Sequence, residues 1–181
     1  VSHLLEGSVR RVGDTVRVSA TLIKAADGST LWADKYDRPY KDLFALQDQI
    51  TSQVATALKS RLQTASAPKA QSDRPPNENL EAYDAYMEAR SATVLDDAVE
   101  RYDRAIRLDP SYALAYAWKA RMLIDTLAGG VLSGEQAEQA FAQADDAIVQ
   151  AMRLAPDQAS TRIARGYLLM QRDFDWHGAE A

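Results

Sequence analysis

Residues Ala98–Pro110, AVERYDRAIRLDP, decide how this chain folds. Ala98, Tyr102, Ala105 and Ile106 recur at i, i+4, i+7 and i+8, so one helix face is small and apolar. Glu100, Arg101, Asp103, Arg104 and Arg107 take the other face. Asp109-Pro110 ends the helix, because proline lacks an N–H donor and its ring disfavours helix in the residue before it. The same grammar returns as ADDAIVQAMRLAP, with Ala144, Ile148, Ala151 and Pro156 at the intervals of Ala98, Tyr102, Ala105 and Pro110. Two copies of small–bulky–small–Pro at one spacing predict a helical repeat.

Working outward, everything after Leu80 reads as helix. A first helix spans Leu80–Ala92. Thr93 with Asp96 forms a capping-box pattern opening a second, which runs to Leu108. Ser111 is the expected cap of a third, to Thr126, followed by an Ala128-Gly129-Gly130 loop. Ser133 with Gln136 opens a fourth, to Leu154. A fifth covers Asp157–Met170, and Asp173–Ala181 begins a sixth.

Upstream, Thr64–Asn79 (TASAPKAQSDRPPNEN) is small, polar and proline-bearing, and reads as a linker whose Pro75-Pro76 end is stiff. Before it, Leu4–Tyr36 alternates with period two. Leu5, Gly7 and Val9 are followed by Val16, Val18, Ala20 and Leu22, with turn chemistry at Gly13-Asp14 and Asp27-Gly28. A third strand runs from Thr30 to Tyr36. Asp42 opens a long helix whose stripe of Leu43, Leu46, Ile50, Val54, Ala57, Leu58 and Leu62 should lie on the apolar face of the sheet. The expected fold is therefore α+β followed by all-α: a small antiparallel meander with one long helix (1–63), a linker (64–79) and a helical array of about two and a half repeats (80–181).

Composition narrows the function. With 181 residues, 46% hydrophobic and 26% charged, the chain is ordinary globular material. A net charge of −5 and pI of 5.1 lack the basic footprint of a nucleic-acid binder. Without cysteine there are no disulfides, thiolate nucleophiles or Cys-ligated zinc. No apolar run approaches the ~20 residues of a membrane helix. The chain opens on Val1 rather than Met and closes inside a helical pattern, so it reads as part of a longer protein.

The spacing in the second half resembles the tetratricopeptide repeat, a helix pair of 34 residues with small side chains where the helices cross. Ala89, Ala120 and Gly166 match the small position of the first helix in each pair; Ala98, Ala105, Ala144 and Ala151 match those of the second. Pro110 and Pro156 lie 46 residues apart, so the middle repeat is 12 longer than the unit, with the excess expected around Leu127–Gly134. The first half is similar to the C-terminal half of the TolB-like amino-terminal domain. The matching pieces are Leu5-Glu6-Gly7-Ser8-Val9-Arg10, Val16-Arg17-Val18, Leu22-Ile23, Leu31-Trp32, Tyr36-Asp37-Arg38 and Phe44-Ala45-Leu46-Gln47-Asp48-Gln49-Ile50. That resemblance implies a bacterial signalling protein carrying a class III adenylate/guanylate cyclase domain or a winged-helix transcription regulator. It also implies an unpaired sheet edge, since the family's earlier strands are absent from this chain.

No catalytic constellation emerges. His3 and His177 stand near opposite ends without metal spacing, and Asp96-Asp97 and Asp145-Asp146 read as solvated faces. Gly129-Gly130 lacks the Lys-Ser/Thr of a phosphate loop. No metal or cofactor is expected. Trp32, Tyr36 and Tyr40 form either a ligand patch or the end of a small core. The repeat resemblance implies a concave groove along the first helix of each pair. On this chain its positions are Tyr83, Tyr86, Arg90, Leu114, Ala117, Arg121, Ser160, Ile163, Tyr167 and Met170. Arg90 and Arg121 occupy equivalent places one repeat apart and suit an acidic partner. Equally, they could pair with Glu88, Asp84 or Asp125 on their own helices. The family's Lys/Asn clamp for a terminal carboxylate is absent, with Ala117 and Ile163 in its places. The expected role is non-enzymatic recognition of a protein or peptide in the cytoplasm, on the periplasmic side if a membrane span precedes Val1. The alternatives are a small-ligand sensor in a transcription regulator and a structural scaffold that forms a homodimer.

Overall fold

A computed structural model describes residues 1–59, 73–173 and Gly178. Linker residues 64–72, Leu62, and residues 174–177 and 179–181 of the last expected helix lie outside the described residues. The chain forms two compact units, Val1–Ala70 and Gln71–Ala181.

The first unit is a meander. Strands β1 (His3–Val12), β2 (Thr15–Lys24) and β3 (Thr30–Pro39) pair antiparallel in the order β1-β2-β3. Gly13 (φ +57°) and Gly28 (φ +69°) supply the left-handed backbone of the two turns. Pro39 ends β3. The Tyr40 N–H then donates to the Asp14 carbonyl at 2.6 Å, which turns the chain through Tyr40–Asp42 into helix α1 (Leu43–Lys59). Leu46 packs with Val16, Val18 and Tyr36, flanked by Leu43, Ile50, Trp32 and Tyr40. Leu5 and Val9 pair with Leu22 and Val18 on that same face, yet remain 52% and 73% exposed. Among the described residues, β1 has a strand neighbour on one side alone.

The second unit is a stack of helices: α2 (Leu80–Ser91), α3 (Leu95–Leu108), α4 (Ala113–Ala128), α5 (Glu135–Leu154) and α6 (Ala159–Leu168), which loosens into a π turn at Leu169–Asp173. Helix α2 packs on α3 and α4 on α5; α4 also touches α3 and α6. The small residues sit at the crossings. Ala89, Ala98, Ala105, Ala120, Ala144 and Ala151 are all 0% exposed, so these backbones approach as closely as a methyl group allows. Tyr102 and Ile148 are buried between them. These antiparallel pairs are consistent with tetratricopeptide-like repeats.

The helix starts differ from the expected caps. Helix α3 begins after Val94, which offers no side-chain acceptor, and Asp96 and Asp97 in its first turn favour the positive end of the dipole instead. Ser111 does not cap α4. Its N–H and hydroxyl both donate to Asp109 Oδ1, at 2.9 and 2.5 Å, and the helix starts after Tyr112. At α5 the start falls on Gly134, whose φ of +56° and ψ of −133° suit glycine, so Ser133 lies outside the helix. Asn79, which carried no expectation, caps α2 by accepting from the N–H groups of Glu81 and Ala82. The 12 extra residues of the middle repeat do not collect in a loop: α4 and α5 are 16 and 20 residues long, against 12 and 14 for α2 and α3.

Substitutions in each unit test this packing. Ala105→Leu or Ala151→Leu overfills a crossing and should destabilise the array by about 1–3 kcal/mol in urea titrations, whereas Ala142→Leu, on the exposed face of α5, should be near neutral. Gly7→Ala places a methyl 2.6 Å from the Ser19 carbonyl oxygen and should speed amide hydrogen exchange across β1 and β2.

Candidate functional site

The aromatic trio of the first unit lies in or against its core. Tyr36 is 4% exposed and its hydroxyl donates to Gln53 Oε1 on α1. Trp32 and Tyr40 pack against the same cluster, and the Arg11 guanidinium stands 3.5 Å over the Tyr40 ring. Each ring therefore already has a partner within its unit. His3 lies beside Ser2 at 3.1 Å. His177 falls outside the described residues. Asp97 and Asp145 each face an arginine, Arg101 at 3.9 Å and Arg172 at 3.7 Å. Among the described residues, no three His, Cys, Asp or Glu side chains converge on a metal-sized site.

In the second unit the structure gathers the expected groove residues into two groups. The first spans α4 and α6, where Ala117, Trp118, Arg121, Ser160, Ile163 and Ala164 line a cavity of about 150 Å³. The Arg121 guanidinium lies 4.0 Å over the Tyr167 ring, while its Nε donates to both oxygens of Asp125 at 3.0 and 2.9 Å. Arg121 thus pairs on its own helix and still presents a stacked face. Ile163 is half exposed at 50%. Ser160 Oγ is buried without a hydrogen-bond partner, so the wall holds one unmet polar group.

The second group spans α2, α4 and the residues just before α2. The Arg90 guanidinium stands 4.8 Å over Trp118 and 5.8 Å over Tyr86. It pairs not with Glu88 or Asp84 but with Asp73, at 3.2 Å. Trp118 therefore touches both groups. Its place three residues before Arg121 puts it on the same helix face. Tyr83 is half-buried on α2. Tyr86, Leu114 and Ala117 are buried, at 0%, 6% and 1% exposure, and Met170 sits half-buried in the π turn. Tyr86 packs against Tyr112 at 5.1 Å and Tyr102 at 6.3 Å between ring centroids. Burial raises the phenol pKa of Tyr86 and Tyr112 and pushes that of Tyr102 up to about 12.

The fold is thus an α+β unit followed by an all-α array of helix pairs, with an aromatic and arginine-bearing face on the first helices of the pairs. No protein-family model matches the chain. Over 123 residues, 65% of its length, the chain is 35% identical to the protein named "Putative adenylate cyclase 3" of Rhizobium meliloti (strain 1021). The aligned stretch is 21% of that relative, so the chain spans about a fifth of it. Among the described residues, no helix is long and apolar enough to cross a membrane.

The buried phenols set a pH limit. Tyr102 has a folded pKa of about 12, above the ~10 of an unfolded chain. The stability it contributes is complete below pH ~10 and is lost as pH climbs through the folded value. Urea midpoints measured from about pH 8 to 12 should stay level to about 10 and then fall, and Tyr102→Phe should remove part of that fall.

Proposed function

We propose that this chain is a non-enzymatic recognition region of a bacterial signalling protein. In this reading a TolB-like module precedes tetratricopeptide-like repeats, and the array receives a protein or peptide partner in the cytoplasm. The observation that carries it is the α4–α6 cavity. Arg121 stacks on Tyr167 beside the exposed Ile163, which together offer a cation and an apolar wall to one extended segment. A partly exposed guanidinium with an aromatic behind it favours a carboxylate-bearing ligand, because the ring restricts the side chain before binding.

Likeness to a protein named as an adenylate cyclase supports a nucleotide cyclase as the output of the whole protein, with this region outside the catalytic part. Signalling would follow from differential affinity: a partner that prefers one curvature of the array shifts the population of the attached output domain.

Calorimetry against a set of acidic peptides tests the reading. A binding peptide should lose about tenfold in affinity, ~1.4 kcal/mol, on Arg121→Ala and again on Ile163→Ala. Neither side chain is buried, so the fold should survive both changes. Silence from every acidic peptide, or binding indifferent to both substitutions, would sink it.

A further inference from the structure

We infer that Asp73–Asn77 is a built-in ligand of the array, holding in cis a site for an extended acidic segment with proline two residues on. The inference rests on the reading of this face as a peptide groove and names the chemistry of what binds there.

The five residues are gripped along their length. The Asp73 carboxylate accepts from Arg90 Nη1 at 3.2 Å, and its backbone carbonyl accepts from the Tyr112 hydroxyl. Pro75 is fully buried. The Asn77 N–H donates to Asp109 Oδ2 at 3.2 Å, and its side-chain amide donates to the Leu108 carbonyl at 3.3 Å. The partners belong to α2, to the α3–α4 junction and to the start of α4, so the segment spans parts of the first two helix pairs.

Three features separate this from an ordinary entry into a helix. First, α2 does not need it: Asn79 already satisfies the first N–H groups of that helix. Second, the grips are those of peptide recognition, with a cation for a carboxylate, a hydroxyl for a carbonyl and burial of a proline ring. Third, Arg90 lies on Trp118, and Trp118 lines the α4–α6 cavity. The site that holds Asp73 therefore shares a wall with the site proposed for a partner.

The grip is tethered rather than tight. Arg90 and Asp73 are 37% and 51% exposed at their side chains, where an ion pair contributes little. What holds the segment is its effective concentration, on the order of millimolar for a short connection. A free peptide of the same sequence must compete with that, and loosening the tethered copy should admit it.

The test uses a fluorescein-labelled peptide copying residues 71–79, QSDRPPNEN, titrated into the whole chain while anisotropy is read. Against wild type, Asp73→Ala with Pro75→Ala should bind it about tenfold more tightly, and adding Arg90→Ala should abolish the gain. Equal or undetectable binding to wild type and loosened chains, with unchanged helical circular dichroism, would overturn the inference. If the double substitution unfolds the array, Asp73→Asn with Asn77→Ala loosens only the polar grips and is read by the same two outcomes. The probe is the chain's own sequence. Binding here with silence from acidic partners would keep this inference and sink the partner reading; the reverse pattern would do the opposite.

Discussion

Backbone-to-backbone approach at alanine governs the second unit. Side chains of one methyl group gather in each pair's core, Ala89, Ala98 and Ala105 in the first and Ala120, Ala144 and Ala151 in the second, none of them exposed to solvent. Close packing gives little latitude there, because an interior at crystal-like density has no room for an added methylene. It also sends the larger side chains either into the interior beside the crossings or onto the face of α2 and α4. Tyr86, Tyr102 and Tyr112 pack together in the interior, while Arg90, Trp118 and Arg121 lie on the face beside them. The same residues that close the helix pairs therefore decide which side chains are available to a ligand.

The two arginines show how context divides equivalent positions. Arg121 has a carboxylate one turn along its own helix and is held at both oxygens. Arg90 has candidate carboxylates on its helix, yet pairs with one reached from outside it. Both retain an aromatic ring beneath the guanidinium. A planar cation can satisfy an acid at its edge and a ring at its face together, which an ammonium cannot. Asp109 ties the arrangement together. Buried at 2% exposure, it accepts from Ser111 and from Asn77, so one carboxylate fixes both the start of α4 and the end of the segment preceding α2.

The fold was legible wherever periodicity carried it. The alternation Val16, Val18, Ala20, Leu22 and the interval from Ala98 to Ala105 each fix a face, and those residues are buried. Termini were less legible, because capping is a competition among neighbours. Ser111 looked like a cap until Asp109 captured its hydroxyl, and Ser133 lost its place to a glycine whose backbone could turn. Of the groove positions, Ala117, Arg121, Ser160 and Ile163 come together, while Tyr86 and Leu114 turn inward. A helical wheel separates faces by angle but does not say how far the neighbouring helix extends over them. The role of Asp73–Asn77 was hidden for a different reason: a proline-rich, polar composition reads as linker, and its contacts with Arg90, Leu108, Asp109 and Tyr112 are all distant in sequence.

The outer rim of the meander has a practical consequence. A strand bonded along one side presents a row of amide and carbonyl groups that can template further strands. On β1 that row is flanked by the exposed Glu6 and Arg10, charges of the kind that discourage edge-to-edge pairing. Salt shortens the reach of those charges to about 8 Å at physiological strength. Added salt thus weakens whatever protection those charges give the rim.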